Sequence, residues 1–310
     1  MMLAEQHKPM ETLDAKELRT FMAVVRIGSI RGAAEHMHVA PSVVSRQIAD
    51  TERSIGLTLF ERTARGMVLT EAGELVLEHS KRVIEESSLL AEQLGLLKGV
   101  QQRRVRIRCG EGFLADILQY GLGAFVTVYP DVQYELELGS TASVLDSIAN
   151  GDADIGIAYN PLIDTRVRSL AISRQSLCVV TKPGHPLLDK DNLALADCVA
   201  TPSALLSKGH GITQLVTRVA ADCGFALAPL VETSSVDVLR RFVIAGLGIS
   251  FLPRFAVSTE LERGVVVVRE LSDPLLADAS AHLMVRARRR LPLSVERLGS
   301  FLATNMAAFR

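Results

Sequence analysis

The stretch APSVVSRQIADTERSIG, Ala40 to Gly56, carries the most pointed chemistry in the chain. With Pro41 at the first helical position, where its missing N–H costs nothing, the spacing predicts a helix to about Arg53. Val44, Ile48 and Thr51 then fall at i, i+4 and i+7 on one face, and Ser42, Ser45, Arg46 and Ala49 cluster opposite. Small hydroxyls around a single guanidinium suit a DNA groove, where they reach phosphates and base edges without bulk. The same face suits plain hydration, because short helices with Ser and Arg outside are common. Thr51 is the odd member of the inward stripe. Its hydroxyl needs a partner there, and the spacing predicts a bond back to the i−4 carbonyl of Gln47.

A second candidate is GEGFLA. Gly110-x-Gly112-x-x-Ala115 follows a strand pattern, opens a helix pattern and has Glu135 and Glu137 downstream, so it partly fits a dinucleotide-binding fingerprint. Other catalytic signals are absent: there is no GxSxG, no HExxH and no Walker loop. His36 and His38 lie two apart and share no helix face, which argues against a metal pair. No metal and no cofactor is expected. Arg286, Arg288, Arg289 and Arg290 form the densest basic run, read as a solvated turn rather than a second nucleic-acid contact.

These residues need elements to hold them. LDAKELRTFMAVVRIG repeats Leu18, Phe21, Val24 and Val25 at helical spacing and stops at Gly28, a C-cap. Ser29 is a good N-cap for SIRGAAEHMH, whose Ala33 and Ala34 permit close helix approach. LTLFERTARGMVLT reads as a β-hairpin wing. Thr70 caps a helix predicted to reach Lys98, along which Val76, Val83, Leu90 and Leu97 recur every seventh residue, with Leu77, Ile84, Ala91 and Leu94 beside them. One helix cannot bury such a seam, so a second copy is expected. From Arg103 strands and helices alternate in two successive α/β lobes, which implies a cleft between them.

The whole-chain numbers leave this picture open and exclude others. A chain of 310 residues, 48% hydrophobic, can bury more than one core. Its 34 basic and 35 acidic side chains give no global attraction to a polyanion, and Ser29 to Gly66 holds an excess of one arginine over acids. The N-terminus lacks a signal-peptide pattern and no segment is apolar enough to span a bilayer, so a cytoplasmic location is expected. Cys109, Cys178, Cys198 and Cys223 form no CxxC pair and read as reduced, buried residues.

The run LRTFMAVVRIGSIRGAAEHMHVAPSVVSRQIADTERSIGLTLFERTARGMVLTEAG resembles the winged helix-turn-helix of LysR-type transcriptional regulators. The likeness runs through Phe21, Gly28-Ser29, Ala33-Ala34, Ser45-Arg46-Gln47-Ile48, Glu52, Gly56, Leu59-Phe60, Arg62, Leu69-Thr70 and Ala72-Gly73. FVTVYPDVQYELELG, GDADIGI, KPGHPL and FVIAGLGISFLP resemble the effector domain of the same family. Thr51 departs from the family's leucine. The resemblance implies an α/β fold with an N-terminal all-α winged helix-turn-helix (13–69), a linker helix for dimerisation (70–98) and a two-lobed, periplasmic-binding-protein-like effector-binding domain (103–310). Lobe 1 would comprise 103–172 and 278–310, and lobe 2 173–277. It places Pro41, Ser42, Ser45 and Arg46 on double-stranded DNA, with Arg31, Arg62 and Arg65 on phosphates or the minor groove. It places a small-molecule effector against Cys109, Gly110, Glu111, Gly112, Ser140, Thr141, Thr201, Pro202 and Ser203. Glu111 and the flanking glycines stand where relatives often offer hydroxyls, so the effector is expected not to be a simple carboxylate at this turn, or else Glu111 points away. A homodimer, a homotetramer and contact with RNA polymerase follow as partners, with no membrane. Two other readings stand beside this one: a cytosolic small-molecule binding protein, and an NAD-dependent enzyme using the Gly110–Gly112 turn.

Overall fold

The computed structural model describes residues 13–63, 66–97, 103–130 and 132–310, in two compact units that divide after Ala91. In the first, α1 (Ala15–Ile27) starts on Asp14, whose carboxylate accepts the Lys16 and Glu17 N–H groups while Glu17 caps Asp14 in return. It ends on Gly28 at φ 75°, the left-handed conformation that glycine adopts without a Cβ clash. Ser29 caps α2 (Ile30–His36) through the Gly32 N–H. α3 (Pro41–Ile55) begins without a side-chain cap and runs two residues beyond the expected Arg53. Phe21, Val24, Ala33, Ala34, Val44, Ile48 and Leu59 are buried together. Phe21 is fully buried, with its ring 5.2 Å from that of Phe60, so truncation to alanine is worth roughly 3–5 kcal/mol.

The wing is β1 (Phe60–Thr63) antiparallel to β2 (Gly66–Leu69), paired from Phe60↔Leu69 to Thr63↔Gly66. Glu52 of α3 fixes its start, since one carboxylate oxygen accepts the Leu59 N–H (2.7 Å) and the Phe60 N–H (3.3 Å). α4 (Glu71–Leu97) follows, with the Thr70 hydroxyl accepting the Gly73 N–H. Its first turns pack Leu77 into the core, but Ile84, Leu90 and Leu94 are exposed.

The second unit runs β3 (Arg103–Cys109), a 3-10 turn at Glu111–Phe113, α5 (Leu114–Asp116), a π turn at Ile117–Leu122, α6 (Gly123–Val128), β4 (Val132–Leu138), α7 (Thr141–Asn150), β5 (Ile155–Tyr159), β6 (Val167–Arg174), β7 (Leu177–Thr181), β8 (Ser203–Leu206), α8 (Gly211–Asp222), β9 (Val231–Thr233), α9 (Val236–Ile244), β10 (Ile249–Pro253), α10 (Ser258–Glu262), β11 (Val267–Glu270), α11 (Pro274–Ala277), β12 (Ser280–Arg286) and α12 (Leu293–Asn305). It holds two five-stranded sheets, ordered β4-β3-β5-β12-β6 and β11-β7-β10-β8-β9. In the first, β4, β3 and β5 are parallel and β12 is antiparallel to β5 and β6. In the second, β9, β8 and β10 are parallel and β7 is antiparallel to β10 and β11. β5, β7, β8 and β10 are buried end to end, the continuous apolar run expected of strands covered on both faces.

The chain crosses between the sheets twice, after β6 and before β12. The crossings are tied to each other: the Gln175 N–H donates to Ala279 O (2.8 Å) and the Ser176 hydroxyl to Ala277 O (3.1 Å). Arg289 departs from the solvated turn expected of the basic run. Its side chain is buried and pairs with Asp154 at 2.9 Å, and Arg286 is buried too, leaving Arg288 and Arg290 exposed. No helix among the described residues is long and apolar enough to cross a membrane.

Candidate nucleic-acid interface and ligand cleft

Val44, Ile48 and Thr51 anchor α3. The Thr51 hydroxyl donates to Gln47 O at 2.9 Å, the bond that the spacing predicts, and the Thr20 hydroxyl donates to Gln47 Oε1 at 2.7 Å. Burial of that stripe and the Thr20–Gln47 bond from α1 fix the helix in rotation, and its other face is exposed. Pro41, Ser42 and Arg46 are exposed and Ser45 is half-buried. Among the described residues Arg46 and Arg62 make no ion pair, whereas Arg31 pairs with Glu35 and Arg53 with Asp50 along their own helices. Arg62 projects from exposed positions of β1 in the wing. Arg65 lies outside the described residues.

In the second unit a narrow cleft lies where the carboxyl ends of the parallel strands of both sheets meet, the usual place for ligands in open α/β sheets. Its cavity is about 30 Å³, room for roughly one water. Gly110, Glu111, Gly112 and Thr141 line it from the first sheet. From the second come Leu206, His210, Gly211 and Ile212. Thr201, Pro202 and Ser203 are not brought there. Ser203 pairs with Ile249 at the start of β8, whereas the cleft lies at its other end, about 10 Å away at ~3.3 Å per residue. Cys109 sits just below the cleft, fully buried, and burial pushes its thiol up to about 12. The Ser140 side chain is engaged as the N-cap of α7, accepting the Ser143 N–H at 3.2 Å.

The residues missed by sequence reasoning are Gly209, His210 and Gly211. Their signal is a glycine-rich turn between an apolar strand and a helix, SALLSKGHGIT. The Gly211 N–H, at the start of α8, donates to Thr141 Oγ1 at 2.9 Å, and the Ala142 N–H, at the start of α7, donates to Gly209 O at 3.2 Å. Glu111 does not face open space. It reaches across to α9, where its carboxylate accepts the Val236 N–H (2.6 Å), the Asp237 N–H (3.2 Å) and the Ser235 hydroxyl (3.0 Å). A carboxylate at a helix N-terminus is favoured by the aligned peptide dipoles. Burial lowers the pKa of His210, against the pull of the Glu111 charge. Tyr159 closes the floor, donating its hydroxyl to Gln175 O in the crossing (2.7 Å). The described residues contain no cluster of His, Cys, Asp and Glu fit to hold a metal.

A helix-turn-helix with a wing beside a two-sheet binding unit defines a ligand-responsive DNA-binding regulator. Two family models match the chain: the bacterial regulatory helix-turn-helix protein, lysR family, over residues 15–74, and the LysR substrate binding domain over residues 98–307. The chain belongs to the LysR family of transcriptional regulators, whose members are regulators rather than enzymes. It is 28% identical over 268 residues to the HTH-type transcriptional regulator CbbR of Sinorhizobium medicae, covering 85% of this chain and 84% of that protein. It is 26% identical to the HTH-type transcriptional activator CmpR of Synechocystis, covering 84% and 86%. Among solved structures, a full-length OxyR variant from Pseudomonas aeruginosa shares the fold with a TM-score of 0.69 at 22% identity, covering 95% of this chain and 96% of that one. Full-length CbnR in complex with its target DNA shares it at 0.53 and 17%, covering 94% and 99%. LysR-type regulators bind DNA and small-molecule effectors and form oligomers.

Proposed function

We propose that the chain reads operator DNA with Pro41, Ser42, Ser45 and Arg46 of α3, with Arg62 and Arg65 of the wing and Arg31 of α2 on the backbone. The observation that carries this reading is Arg46, without an ion pair among the described residues, on an exposed face whose rotation is set by the burial of Val44, Ile48 and Thr51 and by the Thr20–Gln47 bond from α1. CbnR, solved with its target DNA, is a precedent for DNA binding on this fold. The exposed Ile84, Leu90 and Leu94 of α4 support a homodimer through that helix, and a two-fold dimer calls for a partly palindromic operator. A tetramer, contact with RNA polymerase and a cytoplasmic location belong to the same proposal. So does an effector in the cleft at Gly110–Gly112 and Thr141, whose binding shifts the lobes and thereby biases how the DNA-binding heads are placed.

The deciding experiment is footprinting on the intergenic DNA beside the chain's own gene, followed by titration of Arg46→Ala on the protected site. A bidentate arginine–guanine pair is worth about 1–3 kcal/mol, so specific affinity drops about 5- to 150-fold with non-specific binding retained. Unchanged operator affinity removes Arg46 from the reading face.

A further inference from the structure

Glu111 fills the start of α9, a position in the cleft to which an anionic ligand would be drawn. Three helices start at the cleft, and their first donors are already taken by the protein: α9 by the Glu111 carboxylate, α8 by Thr141 Oγ1 and α7 by Gly209 O. Among the described residues no lysine or arginine lines the cavity, and Glu111 is the one carboxylate there. The remaining walls are largely apolar, with Phe113, Ile212, Val236, Leu252 and Phe255 among them. An incoming carboxylate or phosphate therefore meets a fixed negative charge at close range, against largely apolar walls where water screens less than in bulk. To take the start of α9 it must expel Glu111 into those apolar walls, which leaves a carboxylate without partners. A neutral or cationic ligand incurs neither penalty, and an N–H or O–H of it finds the lone pair left on Glu111 Oε2, Oε1 already accepting from both Ser235 and Asp237.

On this basis we propose that Glu111 is a specificity-determining residue: it serves as a built-in anion that makes the cleft refuse anionic ligands and take neutral or cationic ones that present hydrogen-bond donors to an apolar pocket. This rests on the cleft being the effector site. It also predicts that removing the side chain turns the vacated N-terminus of α9 into an anion receptor.

The test uses a shape-matched trio, benzylamine, benzamide and benzoate, titrated calorimetrically into the full-length protein, into Glu111→Ala and into Ile212→Trp, which fills the cleft. The cleft as it stands holds about one water, so each of the three enters by parting the lobes, and in the native protein benzylamine or benzamide binds at least tenfold tighter than benzoate. In Glu111→Ala the order inverts, and benzoate or simple propionate, which replaces the deleted side chain, raises the melting temperature of the variant but not of the native chain. If Glu111→Ala gains no affinity for carboxylates, or if native protein prefers benzoate, the role of Glu111 is wrong and the cleft reading stands. If the ligands bind equally to Ile212→Trp, the cleft is not their site and both readings fall.

Discussion

Gly211 offers a sharp test of how the two lobes meet. A Cβ built on it would lie 2.1 Å from Tyr159 O, 2.9 Å from Asn160 O and 3.2 Å from Thr141 Oγ1, so the closest pair is over 1 Å inside ordinary contact. The Tyr159 carbonyl is backbone at the end of a central strand and cannot rotate away. Gly211→Ala must therefore push the lobes apart by about 1 Å at this point, which stretches the Gly211 N–H bond to Thr141 and the Ala142 N–H bond to Gly209 beyond useful length. Two such bonds at about 1 kcal/mol each give roughly 2 kcal/mol. For a domain of this size that is a fall of about 4–8 °C in melting temperature. Scanning calorimetry reads the fall, and small-angle scattering of the effector-binding unit within the full chain reads the wider lobe spacing. A variant that melts with the native protein and keeps its scattering profile shows that the glycine is not needed for lobe contact, and refutes the steric reasoning.

Thr51→Leu is expected to raise the melting temperature of the DNA-binding unit by the equivalent of about 1 kcal/mol, because Gln47 O keeps its helical N–H partner and the buried site gains apolar surface; a clear fall in calorimetry means the site is too tight for the added carbon. Asp154 sets an acid limit. Burial alone would raise its carboxyl, but the hydrogen bonds and charge of Arg106, with Arg289 beside it, hold it below its ordinary 3.8. Its contribution is complete above that value and lost as pH falls through the lower folded value. Urea titrations from pH 6 to 2 should show the native and Asp154→Asn proteins far apart at pH 6 and converging at the acid end, and parallel curves would contradict this. Thiol titration with Ellman's reagent should find one fast thiol in the native chain, since Cys109, Cys178 and Cys198 are buried with thiols pushed up to about 12 and Cys223 alone is exposed; a second fast thiol would contradict the burial.

Local chemistry is legible in the sequence wherever cause and effect lie within a few residues. Gly28, Ser29 and Thr70 end and start helices by their own backbone and side-chain bonds, and the Thr51 bond to Gln47 spans one helical turn. The expectation that all four cysteines are buried fails only at Cys223, which sits just past the end of α8 where the surface begins. What the sequence hides depends on partners far along the chain. Glu111 stands 125 positions from Val236 and Arg289 stands 135 from Asp154, so nothing near either residue discloses its partner. Thr201–Ser203 mislead because β8 is buried throughout and carries no mark of which end faces the cleft; its parallel pairing with β9 and β10 settles that. Glu52 is recognisable as part of a motif, but its work, holding two N–H groups at the start of the wing, needs the fold to be seen.

The paired crossings between the sheets have a mechanical meaning. Two strands of chain that pass side by side and are bonded to each other, Gln175 to Ala279 and Ser176 to Ala277, behave like the two leaves of a door hinge. These bonds oppose sliding of one crossing past the other, and once the bonds of Gly211, Ala142 and Glu111 across the cleft part, a swing about that line is the motion they oppose least. The Tyr159 hydroxyl, bonded to Gln175 O, runs from the cleft to that line. Any molecule that wedges or draws together the walls of the cleft therefore acts on a single angle, and a single angle is a signal that can be passed along a chain without being scrambled.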